Sequence, residues 1–298
     1  MRMSRRFRIE ERMKNAAFSY AGQVDSPVKR HMIRAIEIAT GQPELKRLYL
    51  ENQRSPKPDE SFWAAAVRQL KLDVRFDSSA LEKAPKTGPL VVVANHPYGV
   101  LDGLVIAWLV EKVRKDFLIL TNAVLMQAPE VRSYVLPVDF SGAPGAMETN
   151  LNSRNQAREH LEKGGCVIVF PAGGVSTAPD KWGRQPATDA PWGTFTAQLI
   201  QRSKADVLPL CFAGQNSRLF QIASHISMTL RLSLIFHEVK KRIGTCLPVA
   251  VGDVIPFADI ATIKDRQALM CELRQRTYAL AVYFYDLAPD FGVRWSPA

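Results

Sequence analysis

From about residue 72 onward, short apolar runs alternate with amphipathic ones, and no other feature restricts the possible folds as much. The runs "LDVRF" (72–76), "LVVVAN" (90–95), "FLIL" (117–120), "YVLPVDF" (134–140), "CVIVFPA" (166–172), "VLPLCFA" (207–213) and "CLPVAVG" (246–252) have the length and β-branched content of strands. The stretches "GLVIAWLVEKVRK" (103–115), "NSRNQAREHLEKG" (152–164), "WGTFTAQLIQRSK" (192–204), "LFQIASHISMTLRLSLIF" (219–236) and "DRQALMCELRQRTYALAVYFYDL" (265–287) read as helices. Their alternation predicts an α/β fold, a mostly parallel central sheet flanked by helices. "VIVF" is apolar at every position, which suits a strand covered on both faces. In such sheets functional residues collect in loops at the carboxyl ends of the strands.

The N-terminal part has a different texture. "SPVKRHMIRAIEIATG" (26–41) sets Met32, Ile33, Ile36 and Ile38 among Lys29, Arg30 and Arg34, and Gly41 stops it as a helix C-terminus would. "PELKRLYLENQR" (43–54) and "DESFWAAAVRQL" (59–70), the latter with Asp59 as cap, read as two more helices. The chain therefore divides into an N-terminal amphipathic helical segment (1–72) and an α/β domain (73–298). Basic amphipathic helices suit a membrane surface, and they equally suit a cap packed on the main domain.

The net charge of +10 implies an anionic partner: nucleic acid, a membrane surface or an acidic protein. The basic residues are spread out and no zinc-finger, helix-turn-helix or RNP pattern occurs, which disfavours nucleic acid. "MRMSRRFRIEERMK" lacks the apolar stretch of a secretory signal, and no run reaches the roughly 18–20 apolar residues of a spanning helix. The expectation is a cytoplasmic protein bound peripherally to the inner face of the cell membrane. Cys166, Cys211, Cys246 and Cys271 form no CxxC pair, so they read as reduced thiols and not as a metal site.

Three loops follow apolar strands and are chemically unusual. "ANHPYGVLDG" (94–103) sets His96 and Asp102 six positions apart, with Gly99 between them. Successive helix residues turn by about 100°, so the two cannot meet along one helix. They meet if His96 closes a strand, the chain turns through Pro97–Gly99, and Asp102 enters the next helix. Asp102 then orients the imidazole and makes its other nitrogen a better base, which suits activation of a substrate hydroxyl. A plain helix cap at Asp102 beside an incidental histidine fits the same residues. In "FPAGGVST" (170–177), Gly173 and Gly174 let a ligand approach the backbone, whose N–H groups can hold an oxyanion. A bare strand-exit turn fits that loop too. "PLCFAGQNS" (209–217) repeats the strand, small residue, polar amide order. His31, His160, His225 and His237 lack a paired acid and read as surface or core residues. Trp182 and Trp192 suit either a lipid–water boundary or packing under a loop.

In this order and spacing the three loops resemble the lysophospholipid (glycerolipid) acyltransferase family, with its PlsC-like fold, over roughly residues 75–255. "NHPYGVLD" (95–102) is similar to the family's Asn-His-four residues-Asp block, and "FPAGGVS" (170–176) to its Phe-Pro-Glu-Gly-Thr-Arg-Ser block. "VLPLCFAGQNS" (207–217) is similar to its proline-containing strand, and "YVLPVDF" stands where its second block falls. "YAGQVDSPVKRHMIRAIEIATG" (20–41) resembles the leader of a bacterial haemolysin-like subgroup.

The resemblance implies His96 as general base and Asp102 as the acid that orients it. It implies a substrate site from Asn95, Gly99, Phe170, Pro171, Gly173, Gly174, Ser176, Pro209 and Asn216. The reaction it implies moves an acyl group from acyl-CoA or acyl-ACP (acyl carrier protein) to the hydroxyl of a lysolipid acceptor, with no other cofactor and no metal. The chain also departs from the family. Five residues separate His96 from Asp102 where the family has four, and Gly99 is placed to absorb the extra one as a turn. Ala172, Val175 and Phe140 stand where many members carry charges associated with a glycerol-phosphate headgroup. Their loss admits a lyso-amino-acid lipid, such as lyso-ornithine lipid, as acceptor. Arg132, Arg154, Arg184 and Arg218 are candidate replacement contacts. A dyad disabled by the longer gap would leave a non-catalytic lipid-binding protein on the same fold.

Overall fold

The computed structural model describes residues 19–23, 26–122, 128–139 and 145–287. The basic leader before residue 19 and Phe140 lie outside them. Helix α1 (Pro27–Thr40) opens on Ser26, whose hydroxyl accepts the Lys29 N–H. It closes on Gly41, which at φ 141° donates its N–H to the Glu37 carbonyl. After α2 (Gln42–Arg54), α3 (Phe62–Gln69) starts at Ser61 and not at Asp59, because the Ser61 hydroxyl accepts the Ala64 N–H. Asp59 lies outside that helix at φ 59°.

These helices cover the sheet. Ile33, Leu45, Trp63 and Val67 lie in one apolar cluster with Leu90, Val92 and Ala94 of the sheet. Glu37 is buried and accepts the Ser19 hydroxyl at 2.7 Å and the Tyr20 N–H at 2.7 Å, tying the segment before α1 to its third turn. That burial pushes the Glu37 carboxyl up from its usual range.

All seven expected strands form: β1 (Asp73–Arg75), β2 (Leu90–Ala94), β3 (Phe117–Asn122), β4 (Val135–Val138), β5 (Cys166–Val169), β6 (Asp206–Phe212) and β7 (Cys246–Val251). Among the described residues they make one sheet in the order β1-β7-β6-β2-β5-β3-β4. Every pairing is parallel except β6 with β7. The strands from β6 to β4 therefore point the same way. Helices α4 (Ser78–Glu82), α5 (Val100–Glu111), α6 (Ala146–Glu162) and α7 (Thr194–Ser203) connect them.

β2 shows why its run is apolar throughout. Strand side chains alternate between faces. Leu90, Val92 and Ala94 pack in the cluster that holds α5, while Val91 and Val93 pack with Ala157 and Leu161 of α6 and with Ala197, Leu199 and Ile200 of α7. Both faces are covered, so neither tolerates a polar residue.

Two helical readings need correction at their boundaries. The stretch 219–236 is not one helix but α8 (Arg218–Ile226), α9 (Met228–Ser233) and the start of α10 (Ile235–Lys241). The break falls at Ser227, which adopts an extended conformation and caps α9 through its hydroxyl. A serine hydroxyl competes for backbone N–H groups in this way. The later stretch runs, after α11 (Phe257–Ile260), as α12 (Arg266–Ala279), a 3-10 turn (Leu280–Tyr283) and α13 (Phe284–Leu287).

Candidate active site

The three unusual loops leave β2, β5 and β6. These are adjacent parallel strands, with β2 in the middle, so their carboxyl ends lie side by side. Residues about 75 and 115 positions apart in sequence thus become neighbours. Asn95 fixes this junction. Its side-chain amide donates to the Phe212 carbonyl at 3.0 Å and accepts the Phe212 N–H at 2.7 Å, continuing the β2–β6 pairing one step beyond the strands. Asn95 is buried and both its polar atoms are committed to β6.

The loop after β2 turns at Gly99, which caps α5 at φ 81°. A side chain there would be strained, and its Cβ would lie 3.2 Å from Val175 Cγ2. Gly99 therefore lets the loop after β2 pack against the loop after β5. Asp102 occupies the first turn of α5 and is fully buried. Its Oδ2 accepts the N–H groups of Tyr98 at 2.7 Å and Gly99 at 2.9 Å. The same oxygen lies 3.1 Å from His96 Nδ1. One atom, Asp102 Oδ2, thus caps the turn and also approaches His96 Nδ1.

The His96–Asp102 contact is close but off the ring's N–H direction, and Asp102 Oδ1 is buried without a partner. Such contacts often tighten when substrate binds. Burial raises the Asp102 carboxyl, against the lowering effect of His96 and the two N–H groups. An acid facing Nδ1 favours the tautomer with its proton there, which leaves Nε2 as the nitrogen able to take another proton. The His96 ring stacks on Phe170, centroids 4.0 Å apart at 27°, and its side chain keeps 17% exposure.

The loop after β5 is locked to the loop after β2. The Ser176 N–H donates to the His96 carbonyl at 2.8 Å, and the buried Ser176 hydroxyl donates to Asp189 at 2.6 Å. The Pro171 carbonyl accepts the Gly193 N–H at 2.9 Å. The Gly173 N–H closes a turn onto the Phe170 carbonyl at 3.0 Å, at φ 69°. Gly174 is exposed, with open space where a side chain would stand, and its N–H has no partner among the described residues. Pro209 lies within β6 opposite Val93, and its carbonyl accepts the Gly252 N–H at 2.9 Å. Asn216, beyond the end of β6, is buried with neither amide atom partnered among the described residues.

Asp189 escaped the sequence reading. It is buried, and its Oδ1 accepts both the His96 N–H at 3.1 Å and the Ser176 hydroxyl. Its Oδ2 accepts the Trp192 indole N–H at 2.9 Å. Its backbone bonds Tyr278 and Arg274 of α12. One side chain thus joins both functional loops to the 188–192 segment. Trp192 is buried beneath the loop, while Trp182 is largely exposed.

Other candidates lie elsewhere. His31, His160, His225 and His237 each contact a backbone carbonyl. Arg132, Arg154, Arg184 and Arg218 are exposed. Arg154 lies over the Phe195 ring and Arg218 donates to the Trp182 carbonyl. Arg231 of α9 reaches the "FPAGGVST" stretch, donating to Thr177 Oγ1 at 2.7 Å and to the Val175 carbonyl.

A family model described as "Acyltransferase" matches residues 43–280. The chain is 25% identical over 252 residues to the lyso-glycine lipid O-acyltransferase of Phocaeicola vulgatus, covering 80% of this chain and 83% of that one. It is 28% identical over 199 residues to the protein of the same description from Bacteroides thetaiotaomicron, covering 62% and 68%. Among solved structures it is similar to the 1-acyl-sn-glycerophosphate acyltransferase PlsC of Thermotoga maritima, with a TM-score of 0.48 at 15% identity over 97% of this chain and 99% of that one.

Proposed function

The chain belongs to the acyltransferase family, and on that premise we propose that His96 and Asp102 transfer a fatty acyl group from an acyl thioester to the hydroxyl of a lysolipid. The observation that carries this reading is the 3.1 Å approach of Asp102 to His96 Nδ1 at the ends of three adjacent strands. It also favours an active pair over a disabled one, because the contact exists despite the longer gap between the two residues.

In this mechanism His96 Nε2 takes the hydroxyl proton as the oxygen attacks the thioester carbonyl carbon. A C–O bond forms and the carbonyl oxygen becomes an oxyanion. The Gly174 N–H is free to donate to it. The oxyanion then collapses, the C–S bond breaks, and the departing thiolate recovers the proton from His96. Ester and thiol are the products. Asp102 holds the ring and stabilises the transient imidazolium, while Asp189 and Ser176 hold the backbone that carries it. The donor is acyl-CoA or acyl-ACP.

The acceptor we propose is a lyso-amino-acid lipid. Two things support it: the relatives are named for a lyso-glycine lipid, and "FPAGGVS" carries no charge of its own. An apolar cavity lined by Leu45, Leu48, Phe62, Ala66, Val100 and Leu104 reaches the first turns of α5 and is proposed to take part of an acyl chain. Among the described residues no helix is long and apolar enough to cross a membrane. Val28, Met32 and Ile38 of α1 and Leu219, Ile226 and Met228 on or beside α8 and α9 are exposed, and we propose that this face rests on an anionic bilayer.

The test offers purified protein a panel of glycine-, ornithine- and phosphate-headed lysolipids with labelled acyl-CoA or acyl-ACP, products being read by mass spectrometry. Diacylated amino-acid lipid is the expected product. Absence of transfer to every lysolipid would overturn the reading.

A further inference from the structure

Resting on the lysolipid acyltransferase reading, we propose that Arg231, assisted by Gln221, is the receptor for the anionic headgroup of the acceptor. Arg231 is part-buried, and no carboxylate among the described residues lies within ion-pair distance of it. A buried guanidinium without an acid is costly, so proteins nearly always supply a counter-charge. Burial pushes this one below its usual range, and no neighbouring anion opposes the shift. The group has five N–H donors. It spends one on Thr177 Oγ1 and one on the Val175 carbonyl, and the remaining three meet no acceptor among the described residues. One face lies over the Phe220 ring, 5.4 Å from its centroid.

The location is as telling as the charge. The Val175 carbonyl and the Ser176 N–H belong to one peptide unit and point opposite ways. The carbonyl faces Arg231, and the N–H faces the His96 carbonyl at 2.8 Å. Arg231 therefore stands one peptide unit from the backbone of the proposed base. On this proposal the lipid's hydroxyl sits at His96 and its head at Arg231.

A second group points to the same ligand chemistry. Gln221 of α8 is fully buried, and its Oε1 accepts the Ala178 N–H at 2.9 Å, which fixes the orientation of the amide. Its Nε2 is then left buried without an acceptor. Among the side chains that hold the segment Val175–Ala178, Arg231 and Gln221 have unspent atoms that are all donors. A ligand rich in acceptor oxygens, a carboxylate or a phosphate, satisfies them.

The experiment measures kcat/KM of wild type, Arg231→Gln and Arg231→Lys on three acceptors: a glycine-headed lysolipid, its methyl ester and lysophosphatidic acid. For wild type the ionised glycine head is expected to exceed the ester by roughly 10- to 100-fold, the range of one charge-assisted contact. In Arg231→Gln that ratio should collapse towards one, through KM more than kcat. Arg231→Lys should fall between, keeping the charge but losing the fork. The ratio is internal to each protein, so it is insensitive to the fraction folded. A preference for the phosphate head that collapses in the same way would assign the site to phosphate. Equal loss on ionised and esterified acceptors, or no loss, would overturn this inference while leaving the acyltransferase reading intact. Failure of wild type on every lysolipid would overturn both.

Discussion

Asp102 Oδ2 accepts the Tyr98 and Gly99 N–H groups and lies 3.1 Å from His96 Nδ1. The cap and the proposed catalytic pair therefore share an atom, which is why "NHPYGVLD" is compatible with either reading. Burial raises the Asp102 carboxyl. On acidification its ionised form is lost at a higher pH than for an exposed aspartate, and the orienting charge is lost with it. Asp102 should thus contribute to the acid limb of the rate profile at a higher pH than an exposed aspartate would, and Asp102→Asn should remove that contribution, leaving the limb set by protonation of His96 itself, while lowering kcat by about 10²- to 10⁴-fold. A pH–rate series on both proteins checks this. Asp189 was not legible, because its contact with His96 spans 93 positions and "PATDAPWG" has no periodicity to betray a buried acid. Arg231 was hidden likewise, inside a run that read as one apolar helix, fit for a core, an acyl groove or a bilayer surface. We expect Asp189→Asn to lower kcat more than it changes KM, with a thermal destabilisation of about 1–3 kcal/mol as donors lose their acceptor.

At the scale of elements, the strands were the most legible part. Their runs are short, β-branched and apolar on both faces, and the structure covers both faces of β2. Helix ends were less so, since they depend on which hydroxyl wins a backbone N–H. Ser61 displaced Asp59 as a cap, and Ser227 split a continuous apolar stretch. The turn at Gly99 was readable from glycine alone, but its partner, Val175 on a loop from another strand, was not. Gly99→Ala places a side chain at positive φ and 3.2 Å from Val175. It should cost about 1–3 kcal/mol of stability, and activity should fall further as His96 and Ser176 lose register. Chemical denaturation alongside turnover separates the two effects.

For the molecule as a whole, parallel strand order does what no local motif can, gathering the loops of β6, β2 and β5 at one edge. The N-terminal helices share a core with that sheet, while α1 keeps Val28, Met32 and Ile38 exposed among Lys29, Arg30 and Arg34. A chain with net charge +10 and such a face should sediment with anionic vesicles, and binding should weaken as salt screens the attraction. Met32→Asp together with Ile226→Asp should reduce sedimentation even at low salt, and unchanged binding would remove this face from the account. The central claim is that His96 is the base that activates a lysolipid hydroxyl. Its most direct test is single-turnover transfer from labelled acyl thioester to the preferred lysolipid by wild type and His96→Gln, with the folding of the variant confirmed by circular dichroism. The account predicts a folded variant whose transfer rate falls at least about 10²-fold. Transfer at the wild-type rate would contradict it.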